Sequence, residues 1–154
     1  MKIVKYLCAI ITIAFLSAGC QKPQDATAAV TDAVSGNYKG NLELSVMGSS
    51  QGSVQTEVHV SAVDGNTAKV ILKGNPDAEG AMAIKGDIAV ESVPVSENSG
   101  VYVLTESDIN TMVGSTKYKG KVSGKVQGND IELTFSLIPG AMPMPVTAVF
   151  TGKK

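Results

Sequence analysis

The chain has 154 residues, with 13 basic and 14 acidic side chains, a net charge of −1, one histidine and no tryptophan. That length suits one domain with a core of its own. Every basic residue is a lysine, so the planar guanidinium fork that reads phosphates and base edges is missing, which argues against nucleic acid as a partner.

In chain order, the first segment is of the export type. Lys2 and Lys5 precede an apolar run from Tyr6 to Leu16 that is too short to span a bilayer comfortably, and Ser17, Ala18 and Gly19 are small enough for a peptidase pocket. Residues 1–19 therefore read as a signal peptide. The run Leu16-Ser17-Ala18-Gly19-Cys20 resembles the lipobox of bacterial lipoproteins, with Ser17 standing where that motif usually carries Leu, Val or Ile. The resemblance implies that the Cys20 thiol is alkylated with diacylglycerol, that the chain is cut before it, and that the new amine is acylated, giving a lipoprotein signal peptide. The alternative is an ordinary secretory signal ending near a lone thiol. Cys8 leaves with the signal, so Cys20 has no partner for an internal disulfide, which suits a sulfur already held as a thioether. Several acyl chains on one residue make a stable membrane anchor.

Cleavage there leaves 135 of the 154 residues and removes two lysines and no acids, taking the net charge from −1 to −3. Residues 20–35 are polar and Ala-rich with no turn or strand pattern, and read as a lipid-anchored flexible tether. Only Asp25 is acidic close behind the cysteine. In some Bacteroidetes lipoproteins an acidic cluster at that place marks surface export, so the expected location is the cell envelope, at the outer membrane, with the periplasmic side favoured over the cell surface.

From Gly36 the apolar period is two, which makes the class all-β. Leu42, Leu44 and Val46 alternate with polar residues on a first strand, and Gly48 to Gly52 supplies a turn. Val54, Thr56, Val58, Val60 and Ala62 form a second strand, and Asp64-Gly65-Asn66 reverses the chain into a third through Ala68, Val70 and Leu72. After the loop Asn75 to Gly80, a fourth strand runs through Gly86, Ile88 and Val90 toward Val93-Pro94-Val95, with a turn over 96–100. Val101 to Leu104 is a fifth strand, and Glu106 to Ser115 reads as either a long loop or one helical turn. Tyr118 to Val126 is a sixth, Ile131 to Ile138 a seventh and Val146 to Thr151 an eighth, with Pro139 to Pro145 interrupting the last two. Eight sequentially linked antiparallel strands hide their edges by closing, and strand glycines at 40, 86, 120, 124 and 152 suit the curvature. The expected fold is an eight-stranded antiparallel up-and-down barrel over residues 36–154.

The segments Gly36 to Leu42, Gly86 to Val95 and Pro139 to Gly152, the last with Val149-Phe150-Thr151-Gly152, resemble the calycin-like, or lipocalin-like, β-barrel lipoproteins of Bacteroidetes. The resemblance implies a calycin-like barrel and no particular reaction. Lipocalins proper close the barrel base with a Gly-x-Trp motif and a packed arginine, and this chain has neither residue type.

Few residues offer chemistry. His59 shares the polar face of its strand with Glu57 and Ser61, so two ligands at most could meet a metal there, and a nucleophilic triad would have to be built on a face turned from the core. Glu43, Glu57, Asp87, Glu91 and Glu132 fall on solvent-facing positions, and Asp64, Asp77 and Asp130 on turns. Met142 and Met144 point one way in an extended segment, a soft pair that could take Cu(I), but two apolar side chains at a barrel rim is the simpler reading. No enzyme activity, cofactor or metal is therefore expected. The inward side chains are aliphatic, and Leu42, Leu44, Val58, Val60, Val122 and Phe150 are the candidates for lining a ligand space. The expected function is a lipid-anchored envelope module that binds a small apolar molecule. The competing expectation is an interaction protein that docks an envelope partner through its outer face or loops.

Overall fold

The computed structural model describes residues 29–79, 83–140 and 144–154. Its core is a closed barrel of eight antiparallel strands in sequence order: β1 (Gly36–Val46), β2 (Ser49–Ala62), β3 (Thr67–Leu72), β4 (Ile88–Asn98), β5 (Val101–Val113), β6 (Thr116–Gln127), β7 (Asp130–Pro139) and β8 (Val146–Lys153). Closure is made by β1 and β8, paired continuously from Lys39–Lys153 to Val46–Val146. The side-chain period decides what lies inside. On β7, Ile131, Leu133, Phe135 and Leu137 are buried while Asp130, Glu132 and Ser136 are exposed.

The stretch 106–115, left open between loop and helical turn, is strand. An irregularity between Leu104 and Ser107 inserts one extra residue against β6, so the buried positions switch from even, at Leu104, to odd, at Ile109. That phase change hides the alternation from a reading of period two. A second slip on β4 separates Ile88 and Val90 from Val93 and Val95, all four of which are buried. The first hairpin is also tighter than expected. Met47 and Gly48, both at positive φ, make a two-residue turn, and Ser49 to Gly52 already belong to β2.

The twice-occurring Tyr-Lys-Gly marks two close strand approaches. A Cβ on Gly40 would lie 1.9 Å from the Thr151 carbonyl oxygen, and one on Gly120 1.7 Å from that of Ser136. At both places only glycine lets the neighbouring backbone come so near, and Tyr38 and Tyr118 two residues earlier are buried in the interior.

One end of the barrel is sealed. The expected tether ends sooner than residue 35, because Val30–Val34 forms a one-turn helix, α1, with Thr31 and Val34 fully buried. Five residues are too few to show a helical period, and the turn is held by tertiary contacts instead. The Thr31 hydroxyl donates to the Asp64 carbonyl at 2.7 Å, joining α1 to the β2–β3 loop. Tyr38 donates its hydroxyl proton to the Val34 carbonyl at 2.8 Å. Lys154 donates to the Ala33 carbonyl at 2.8 Å and stands 5.6 Å from the Tyr38 ring centre. Residues 1–28, including the signal and Cys20, lie outside the described residues.

Burial pushes the Tyr38 hydroxyl up to about 12 from an ordinary value of 10.0. A raised value means that the folded state keeps the proton when the unfolded chain has lost it, so this stabilisation is complete below pH 10 and disappears as the pH climbs through 12. Between pH 9 and pH 12 the wild type should lose about 2 kcal/mol more unfolding free energy than Tyr38→Phe, measured by urea denaturation of both.

Candidate functional site

The other end of the barrel, where the β1–β2, β3–β4, β5–β6 and β7–β8 connections lie, carries a cavity. The cause is a mismatch of lengths. β2 has 14 residues and β3 only 6, so β3 pairs with β2 from Val58–Leu72 to Ala62–Ala68 and leaves the first half of β2 with β1 as its strand neighbour among the described residues. The described residues of the β3–β4 connection, 73–79 and 83–87, lie across a cavity from that half-strand.

The connection is pinched at its base. Lys73 extends the ladder by one bond, its N–H donating to the Glu57 carbonyl at 2.9 Å, and its own carbonyl accepts from the Thr56 hydroxyl at 2.7 Å. Gly74 and Gly86 then touch backbone to backbone, and a Cβ on Gly74 would fall 2.3 Å from the Gly86 carbonyl oxygen. Asp87 clamps the crossing. One carboxylate oxygen takes the Lys73 ammonium at 2.6 Å and the other the Gly74 N–H at 3.2 Å. These bonds, the one to the lysine first, hold the Asp87 carboxyl below the usual carboxylate range against the opposing effect of desolvation. The Asn75 N–H donates to the Ile84 carbonyl at 2.9 Å, holding the two arms of the connection together.

Between this loop and the β1–β2 hairpin lies a cavity of about 510 Å³. Leu42, Leu44, Val54 and Thr56 face it from the strands, and Ala78, Ala83 and Ile84 from the loop, with Gln51, Lys73, Asn75 and Glu79 adding polar groups. Of the six residues expected to line a ligand space, the structure brings two, Leu42 and Leu44, to this wall. The other four, Val58, Val60, Val122 and Phe150, are at most 1% exposed and belong to the packed middle and sealed end. Phe150 lies over Gly152, its ring 2.6 Å from where a Cβ would be. The loop residues carry no motif. The signal that could have found them is length, since a 15-residue connection stands out among two-residue turns.

Of the six large exposed apolar side chains among the described residues, Met47, Met112, Ile138 and Met144 lie toward this end, while Val63 lies at the other and Val103 on the wall. Met142 lies outside the described residues. The outer wall is polar, with lysine–carboxylate pairs spanning neighbouring strands at Lys39–Glu57, Lys69–Glu91, Lys125–Glu132 and Lys153–Asp130. Glu57, Asp87, Glu91 and Glu132 thus each stand beside a lysine rather than another carboxylate. His59 points outward and shares a hydrogen bond through Nδ1 with the side-chain oxygen of Asn37 across the β1–β2 pair. No group of three or more metal-ligating side chains occurs among the described residues.

Residues 34–153 match the profile of the calycin-like β-barrel domain. The chain belongs to that family. A solved structure from Bacteroides fragilis, described as a "putative outer membrane protein", matches with a TM-score of 0.72 and 30% identity over 82% of this chain. This chain spans about half of that one, 53% of its length. A redesigned β-barrel matches with a TM-score of 0.45 at 11% identity, covering 82% of this chain and 96% of its own. No curated protein matches. A barrel that crosses a bilayer carries an apolar band outside, whereas here the ion pairs are outside and the aliphatic side chains inside.

The Asp87 clamp is a local device on an exposed surface, and its effect is on the loop. Asp87→Ala should raise the hydrogen-exchange rates of the Gly74 and Asn75 amides by at least about tenfold, while the global unfolding free energy changes by less than about 1 kcal/mol.

Proposed function

We propose that the protein is a lipid-anchored binding module of the cell envelope that takes a small apolar molecule into one end of its barrel. The cavity beside Leu42, Leu44, Val54, Ala83 and Ile84 carries this reading. It has the volume of a small-molecule site, a mostly aliphatic wall and a few polar groups to one side, the usual make-up of such sites. Binding rather than catalysis fits because Glu57, Glu91, Asp130 and Glu132 each pair with a lysine on the outer face, away from the cavity. The envelope location is supported by the lipobox-like run ending in Cys20 and by the outer-membrane description of the Bacteroides fragilis relative.

A second reading has its own observation. The exposed Met47, Met112, Ile138 and Met144 toward the cavity end suit docking of an envelope protein, with the barrel as scaffold.

Titration of the purified full chain with the neutral fluorophore N-phenyl-1-naphthylamine separates the two. One-site binding should appear in the wild type and weaken at least about tenfold in Ala83→Phe, which fills the cavity without touching the sealed end. Absent binding, or equal affinity in both proteins, leaves the docking reading in possession. The anchor is tested at one atom. Cells fed labelled palmitate should label the wild type and not Cys20→Ser, and an unlabelled wild type refutes lipidation.

A further inference from the structure

Given that the cavity is a binding site, its charges limit what it can accept. We infer that it selects uncharged amphiphiles, such as medium-chain alcohols, amides or esters, over the corresponding carboxylates.

Two charged side chains line the cavity, Lys73 and Glu79. Lys73 is the group an anionic head would seek, and it is already engaged, its ammonium 2.6 Å from Asp87. The same carboxylate also accepts the Gly74 N–H at the loop base, so pulling Lys73 away disturbs the crossing that shapes the cavity. Because Asp87 is held below the usual carboxylate range, it remains ionised and keeps its claim on the lysine at neutral pH. Glu79, by contrast, has no ion-pair partner among the described residues. Lys85 is exposed on the same loop but does not line the cavity. Of the two charged side chains on the lining, Lys73 is paired with Asp87, and Glu79 is unpaired among the described residues.

An entering carboxylate therefore meets a neutralised lysine and an uncompensated glutamate, and gives up part of its hydration as well. An uncharged head avoids both costs. The side-chain amides of Gln51 and Asn75 present donors and acceptors at the wall. The Thr56 hydroxyl spends its proton on the Lys73 carbonyl and keeps lone pairs with which to accept one from an alcohol or amide. The aliphatic floor takes the tail in either case, so the discrimination lies at the head.

The test is competition. N-phenyl-1-naphthylamine bound to the purified full chain at pH 7 is displaced by decanol or by decanoate, in the wild type, Glu79→Gln and Asp87→Asn. Asparagine at 87 keeps an oxygen for the Gly74 N–H while releasing the lysine. Decanol should displace the probe from the wild type at least about tenfold more effectively than decanoate, and the ratio should narrow by about threefold or more in each variant. Equal displacement by the two competitors in the wild type overturns the inference, and so does a ratio unchanged in either variant, because a preference indifferent to these charges reflects only the solubility of the competitors. A probe that fails to bind the wild type at all refutes the cavity as a binding site, and the selectivity with it.

Discussion

Ring closure between β1 and β8 is the constraint on which the rest of this structure depends. Once the eight-residue ladder from Lys39–Lys153 to Val46–Val146 is made, no whole strand is left at an outer edge, and every strand must present one face inward around a complete circle. The aliphatic side chains then have one place to go and the lysines and carboxylates another. The glycines at 40 and 120 permit the closest backbone approaches, and the slips on β4 and β5 bring the pleat back into phase with the interior where a straight strand would turn its valines and isoleucines outward.

Closure also makes the two ends unequal. At one, α1 supplies Val34 and Thr31 as a stopper, fixed from three sides by the β2–β3 loop, Tyr38 and the C-terminal lysine. At the other, the short β3 withdraws from the long β2, and the chain must travel 15 residues before β4 begins. The cavity is the volume between that excursion and the half-strand it passes. Its existence thus follows from strand lengths, while its shape depends on the contact of two glycine backbones and on the carboxylate that straps them.

Much of this was legible in the residues. All eight strands could be placed from alternation and turn chemistry, and the closed up-and-down arrangement from their number and linkage. Three features were not, each for a physical reason. The second half of β5 escaped because a bulge inverts the parity of its buried residues. The helix α1 escaped because one turn is stabilised by what it touches, and the partners, Asp64 and Lys154, are distant in sequence. The expected lining and the wall of this cavity overlap only at Leu42 and Leu44, because alternation identifies which side chains point inward but not how far along the barrel axis the packing continues. Val58, Val60, Val122 and Phe150 point inward as expected and meet other side chains there, while Leu42 and Leu44, on the same face of their strand, reach the level where the sheet gives way to loop.

The entry of the chain at the stoppered end has a directional consequence. Only residues 21–28 separate Cys20 from Ala29 at the start of the helix, a span of at most about 30 Å when fully stretched. An 11-residue strand tilted by about 40° stands on the order of 28 Å tall. A lipid on Cys20 would therefore hold the barrel by its base, like a cup set on a table, and keep the mouth turned toward the aqueous space; tipping it over to drink from its own bilayer would draw the whole leash taut along the wall. Held that way, the mouth would face the water side or an opposing surface, and Met47, Met112 and Met144 at that end are what such a surface would meet.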